Sequence, residues 1–303
     1  MIKIKIENEY SRLKTVILGI ANDIGEPPKI FDAYDPRSLY HAKNNSFPNE
    51  NDLVKNVEKF YNKLLKHNVE ILRPENIPNC NQIFTRDLGF VIANIFFISN
   101  IVPARHDEIQ GIENIINKID VGVIKLPEFM HIEGGDIVLH NEKLFIGTYL
   151  DNNYSSLITA RTNIESIEYL KKTITNIEII PIEIKKSNTN IFENTLHLDC
   201  CFQTIGPDKA IICPDGFKNK EDYEFLINLF GRKNVYLSNP TESFLLTSNV
   251  FVISPEVVVS NKKFKRLNKW LEEKGILVEK VDYSDVSKMS GLFRCSTLPL
   301  CRE

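Results

Sequence analysis

Residues 135–148, GDIVLHNEKLFIGT, hold the reading that decides the fold. An apolar run from Ile137 to Leu139 reaches a polar break at His140-Asn141-Glu142, and a second run, Leu144 to Ile146, follows at once. Two short β-rich runs joined by such a break read as a hairpin. Downstream, Thr162-Asn163 supplies a helix N-cap, and Ile164, Ile167 and Leu170 share one face of the helix it opens. The run IEIIPIEI (177–184) then adds a third strand. The unit is strand, strand, helix, strand.

The same order recurs on both sides. Apolar residues at helical spacing mark residues 51–67 (Leu53, Val57, Phe60, Leu64), 107–118, 220–230 (stopped by Gly231) and 262–274 (ending before Gly275). Between them lie β-rich runs at 13–19, 69–74, 89–99, 209–214, 249–260 and 276–281. Helix starts separated by roughly 40 to 60 residues are the mark of a repeated supersecondary unit. Read this way, the chain is ββαβ taken five times, an α/β fold. No single unit can bury both faces of its sheet, so closure of the five into a ring within one domain, residues 1–303, is the expected solution. A doubly wound sheet is the alternative, and it predicts a glycine-rich phosphate loop after the first strand. The text there, GIANDIGEPPKI (19–30), has neither a G-x-G-x-x-G nor a Walker pattern.

Composition narrows the function. Among 303 residues, 43% are hydrophobic and 25% charged, which excludes a disordered or fibrous chain. A balance of 37 basic against 40 acidic residues, without a long basic run, argues against a nucleic-acid partner. The most apolar region, 89–102, is broken by Asn94 and Asn100 and is too short to span a bilayer, so no membrane segment is expected. Six cysteines without a CxxC pair or an apolar leader predict free thiols in a soluble, cytoplasmic protein that holds no metal. Oligomeric state is left open, a homo-oligomer included.

Four segments concentrate reactive side chains: NQIFTRD (81–87), HIEGGD (131–136), HLDCC (197–201) and GLFRCSTLPL (291–300). Cys295 is the candidate nucleophile. A thiol attacks as thiolate and needs nearby positive charge, from Arg294 or a cationic substrate. His197 sits between two leucines; if its segment is a strand, Asp199 shares its face and orients the imidazole as a proton carrier. Glu133 and Asp136 flank a diglycine that permits close backbone approach, and Asp87 follows Arg86. A zinc site from His197, Cys200 and Cys201 is the rival arrangement, strained because adjacent cysteines chelate one tetrahedral ion awkwardly. His41 is a candidate loop contact, and His67 reads as a solvated helix end. Acids crowded around a thiol raise its pKa unless a cation fills the pocket. The planar cation that carboxylates hold through parallel hydrogen bonds is a guanidinium. Nucleophilic substitution at a guanidinium carbon is the reaction these residues imply.

With these segments in this order, the sequence resembles the guanidino-group-modifying enzymes: arginine deiminases, dimethylarginine dimethylaminohydrolases and amidinotransferases. The resemblance runs from NEYSRLKTVILG near the start to RCSTLPL at the end. It implies a five-bladed α/β propeller, the pentein fold, and no cofactor. It further implies that Cys295 forms a covalent amidino-thioether and that His197 protonates the leaving amine and then activates water. Asp87, Glu133 and Asp199 would hold the guanidinium. Arg105 and Arg161 would bind a substrate carboxylate, and Asn81, Arg86 and Asp136 are the further substrate contacts. Residues 21–48, with Tyr40 and His41, fall where the family has a mobile lid. The substrate implied is small and arginine-like, with citrulline and ammonia or an amine as products; transfer of the amidino group to an amine acceptor is the alternative.

Overall fold

The computed structural model describes residues 1–30, 33–120 and 122–303. The first strand, β1 (Leu13–Leu18), leads through α1 (Pro36–Lys43) and α2 (Glu50–Lys66) to β2 (Glu70–Leu72), its parallel partner. A hairpin of β3 (Gly89–Ile92) and β4 (Ile95–Ile98) follows. The chain then passes through a 3-10 stretch (Pro103–Ile112) and the single turn α3 (Glu113–Ile116) to β5 (Val123–Lys125), parallel to β4. The third sheet is β6 (Ile137–His140), β7 (Lys143–Thr148) and, after α4 (Ile164–Thr173), β8 (Glu178–Glu183). The fourth is β9 (Phe202–Thr204), β10 (Ala210–Ile212) and, after α5 (Lys220–Phe230), β11 (Val235–Leu237). Beyond α6 (Pro240–Phe244), the fifth is β12 (Phe251–Ser254), β13 (Val257–Asn261) and, after α7 (Lys265–Glu273), β14 (Leu277–Val281). Finally β15 (Thr297–Arg302) returns antiparallel to β1 and completes the first sheet.

The described residues thus form five three-stranded sheets of one topology, an antiparallel pair with a parallel third strand reached through a crossover. The parallel neighbour needs that crossover because a tight turn can only reverse direction. Neighbouring sheets share their apolar faces. One core joins α2 (Leu53, Val57, Phe60, Leu64) to β12, β13 and α7, with Phe60 edge-on to Phe251, Tyr283 and Phe293. A second core joins β3 and β4 to β6 and β7, and a third joins Val138 and Phe145 to Phe202 and Ile212.

The α4 reading holds in detail: the Asn163 side chain accepts from the Ser166 N–H at 3.2 Å. Residues 107–118 differ in part from expectation, being 3-10 helix up to Ile112 and α-helix only over Glu113–Ile116. In a 3-10 turn residues i and i+3 eclipse, which stacks Arg105 on Glu108 at 2.7 Å. A Cβ at Gly111 would lie 2.1 Å from Gln82 Nε2, so this segment packs tightly on the loop between β2 and β3. The runs β5, β9 and β11, three residues each, are too short for alternation to reveal. Within the turn-rich stretch 21–48, positions 31 and 32 lie outside the described residues, and the remainder includes α1.

Candidate active site

Tight turns precede four strands and carry the reactive side chains: 85–88 before β3, 134–136 before β6, 198–200 before β9, and the turn through 295 before β15. They converge on a small cavity lined by Asp87, His197 and Cys295, and by Tyr34, Asp35 and Ser290 from the covering segments. Its volume is about 10 Å³, the room one water molecule needs.

His197 is 1% exposed, and its Nε2 lies 2.8 Å from Glu133 Oε2 and its Nδ1 3.5 Å from Asp87 Oδ1. Burial opposes the imidazolium, but Asp87, Glu133 and Asp136 outweigh it and raise the pKa. A Cβ at position 135 would come within 2.6 Å of His197 Cγ and 2.9 Å of Asp87 Oδ1. Gly135 is therefore the residue that lets the turn and the ring touch. Glu133 also meets Arg161 Nη1 at 3.0 and 3.1 Å. Burial would push this carboxyl up; Arg161 and His197 hold it well below the usual range instead.

Cys295, 3% exposed, lines the same cavity. Asn249 Nδ2 donates to its Sγ at 3.1 Å, and Asp199 Oδ2 lies 3.6 Å away. Asn249 Oδ1 also accepts the N–H groups of Arg294 at 3.1 Å and Cys295 at 3.2 Å, which fixes the turn that carries the sulfur. The adjacent Cys200 thiol, burial and the Asp199 carboxylate push the Cys295 thiol well above its ordinary value.

Five expectations need correction. Arg294 does not supply charge to the thiol: its guanidinium is bound by Asp199 at 2.9 Å, Glu9 at 3.0 Å and the Ile137 carbonyl. His197 and Asp199 do not form a couple, because residues 198–200 are a 3-10 turn and not a strand. Roughly 120° of rotation per residue sends their side chains to different walls. Arg86 and Asp136 turn away from the cavity. The Arg86 N–H binds the Cys295 carbonyl at 3.0 Å, and its Nε faces the Arg294 carbonyl at 3.3 Å. Asp136 accepts from Thr162 Oγ1 at 2.6 Å and the Leu198 N–H at 2.9 Å, a clip that sets the turn after His197. Finally, His67 is not solvated but meets Glu279 at 3.0 Å. His41 bonds Ser46 at 2.8 Å, outside the cavity lining.

Arg105 lines the cavity, yet most of its donors are taken by Asp87 at 2.7 Å, Glu108 at 2.7 and 2.8 Å and the Phe84 carbonyl at 3.2 Å. Arg161 is fixed by Glu133, the Ile158 carbonyl and the Tyr34 carbonyl, the last at 3.2 Å. Asn81 lies with Arg105 on a neighbouring cavity, and its Oδ1 accepts the Ile83 N–H at 3.2 Å. For a metal, two sets bring donor atoms within 4.8 Å of one another: Asp87, Glu133 and His197, and Asp199, Cys200 and Cys295. Neither is the His197, Cys200, Cys201 trio; the Cys201 thiol points to the Leu198 carbonyl at 3.4 Å.

Four contributors escape sequence reading. Asn249 sits in a run read as strand, although its place before the first strand of the fifth sheet repeats that of Asp136 in the third. Glu108, which burial pushes up to about 7, pairs with Arg105 three residues before it. Glu9 pairs with Arg294 from the far end of the chain, where no local pattern names the partner. Lys186, pulled down to about 8 by burial, binds the carbonyls of Thr195 at 3.1 Å and Leu196 at 2.6 Å, just ahead of His197.

The model of the family described as N,N dimethylarginine dimethylhydrolase, eukaryotic, matches residues 37–302. The uncharacterized protein YkgA of Bacillus subtilis is 28% identical over 84% of each chain. Arginine deiminase of Mycoplasma capricolum is 29% identical over 57% of this chain, which covers only 47% of that relative's length. In fold, the amidinotransferase SxtG of Microseira wollei superposes with a TM-score of 0.79 at 17% identity, over 99% of this chain and 97% of SxtG. The N-terminal domain of ArgZ, an arginine dihydrolase from the ornithine-ammonia cycle in cyanobacteria, gives 0.78 at 16%, over 95% and 97%. No helix among the described residues is long and apolar enough to cross a membrane.

Proposed function

Because this chain belongs to the N,N-dimethylarginine dimethylhydrolase family, and with it to the guanidino-modifying superfamily, we propose that it is a cysteine-dependent hydrolase of the guanidino group of arginine or a close derivative. The five sheets are inferred to close as a five-bladed propeller, one catalytic domain with the cavity on its axis. The observation that carries the reading is that His197, Cys295 and Asp87 line one cavity. Asp87 Oδ1 is buried and makes no hydrogen bond among the described residues, with His197 Nδ1 3.5 Å away, so it has a lone pair to offer a guanidinium N–H.

A guanidinium held by Asp87 and Asp199 cancels the negative field that keeps the thiol protonated. The thiol proton is released to solvent, the thiolate attacks the guanidino carbon, His197 gives its proton to the departing nitrogen, and an amidino-thioether remains. Neutral His197 next takes a proton from water; the hydroxyl adds to the same carbon, and the C–S bond breaks to return the thiol and release the ureido product. Arg105 and Arg161 are inferred to hold the substrate carboxylate, which would take the place of the Tyr34 carbonyl at Arg161 Nη2.

Incubation with arginine and its N-methylated forms, with products identified by mass, tests the reading. Citrulline with ammonia or a methylamine is expected, and Cys295→Ser should lower turnover by at least about 10⁴-fold; unchanged turnover in that variant would refute it. Amidino transfer is a second reading, favoured by a cavity of about 220 Å³ that shares Leu196 and Ser290 with the reaction cavity and has room for an amine. New guanidino products on adding glycine or lysine would establish transfer.

A further inference from the structure

The segment covering the cavity carries a carboxylate that the mechanism leaves unused. Asp35 is 1% exposed. Its Oδ1 caps α1, accepting the N–H groups of Arg37 and Ser38 at 2.9 Å each, and also takes the Ser290 hydroxyl. Oδ2 is buried, lacks a hydrogen-bond partner among the described residues, and belongs to a side chain lining the same cavity as Asp87, His197 and Cys295. Buried carboxylate oxygens are stable when a donor reaches them. With Oδ1 engaged three times, Oδ2 is the acceptor left over.

Its position says which donor. The preceding carbonyl, Tyr34 O, is 3.2 Å from Arg161 Nη2, and Arg105 lines the cavity beside Asp35. These are the two arginines assigned above to a carboxylate. The guanidinium end already has Asp87 and Asp199. In an α-amino acid the ammonium nitrogen shares its carbon with the carboxylate, so a carboxylate on these arginines sets the ammonium against residues 34–35. Ser290, held in the left-handed region at φ 74°, binds Asp35 across this gap.

We propose that Asp35 is a specificity residue whose Oδ2 accepts a hydrogen bond from the substrate's α-ammonium group, so that the site selects α-amino-acid guanidines. The proposal rests on the guanidine-cleaving reading of Cys295 and His197. Binding tests it separately from turnover. In a Cys295→Ser background, arginine should bind at least tenfold more tightly than 5-guanidinopentanoate, the same molecule without its amine. Asp35→Asn should remove that preference by weakening arginine alone, with the melting temperature kept because Asn caps a helix as well as Asp does. Absence of the preference in the Cys295→Ser protein, or its survival in Asp35→Asn, would overturn the proposal. Equal weakening of both compounds would also overturn it, moving Asp35 to the guanidinium. If Asp35→Asn fails to fold, Asp35→Ser, which also caps a helix, takes its place with the same expected loss of preference. Failure of the parent reading shows differently, as a Cys295-intact protein that binds arginine and turns over no guanidino compound.

Discussion

On the imidazole wall of the cavity, His197 feels Asp87 and, from behind, Glu133 and Asp136; on the thiol wall, Cys295 feels Asp199 and Cys200. Both walls are buried and both are anionic, yet the field acts on them in opposite senses. It favours the charged form of the base and the neutral form of the acid, pushing the resting pair toward imidazolium and thiol. Such a site holds its proton donor ready and its nucleophile in check until a cation arrives. The difference teaches that substrate charge completes the site.

The largest break in this comparison comes from the imidazole wall. Replacing His197 by Asn removes the proton carrier and should lower kcat by about 10² to 10⁴; a loss under tenfold would take the imidazole out of the reaction. Next in size is the support behind the thiol wall. Glu9→Ala leaves Arg294 with one carboxylate in a dry site, which should cost about 3 kcal/mol and lower Tm. An unchanged Tm would show that the Glu9–Arg294 pair carries little.

Glu133→Gln sharpens the comparison through pH. His197 has a raised pKa, so its protonated, donating form persists above pH 6.5 and is lost as pH climbs through the raised value. Removing the Glu133 charge should bring the alkaline fall in kcat/KM to lower pH, with about a tenfold loss on the alkaline side. A limb that stays in place would mean another group titrates. The smallest effect is expected at Asn249→Asp, which keeps the shape and adds an anion 3.1 Å from the sulfur. Alkylation of the thiol should slow several-fold at neutral pH; faster alkylation would contradict the field argument.

How much of this was legible follows from the range of each signal. The unit order could be read because a two-residue and a 3.6-residue alternation are local, as in residues 135–148 and the helix after Asn163. Cys295, His197, Glu133 and Asp87 stood out by type beside strands. What failed was pairing. Arg294 meets Glu9 from the far end of the chain, and nothing near either residue announces the other. Reading His197 and Asp199 on one face assumed a strand where a 3-10 turn lies, and Arg86 was drawn toward substrate by its neighbours in sequence while its side chain turns behind Cys295. Asp35 was hidden in a turn-rich stretch, where an acid reads as a cap, which half of it is.

The central claim, a thiol that only a cation releases, is met most directly by comparing inactivation of Cys295 by chloroacetamidine and by its neutral analogue chloroacetamide at pH 7, each rate divided by that of a free small thiol. The account predicts a corrected preference of at least about a hundredfold for the amidinium reagent, with both adducts on Cys295. Equal corrected rates would contradict it, because the thiol would then be reactive without any positive charge in the cavity.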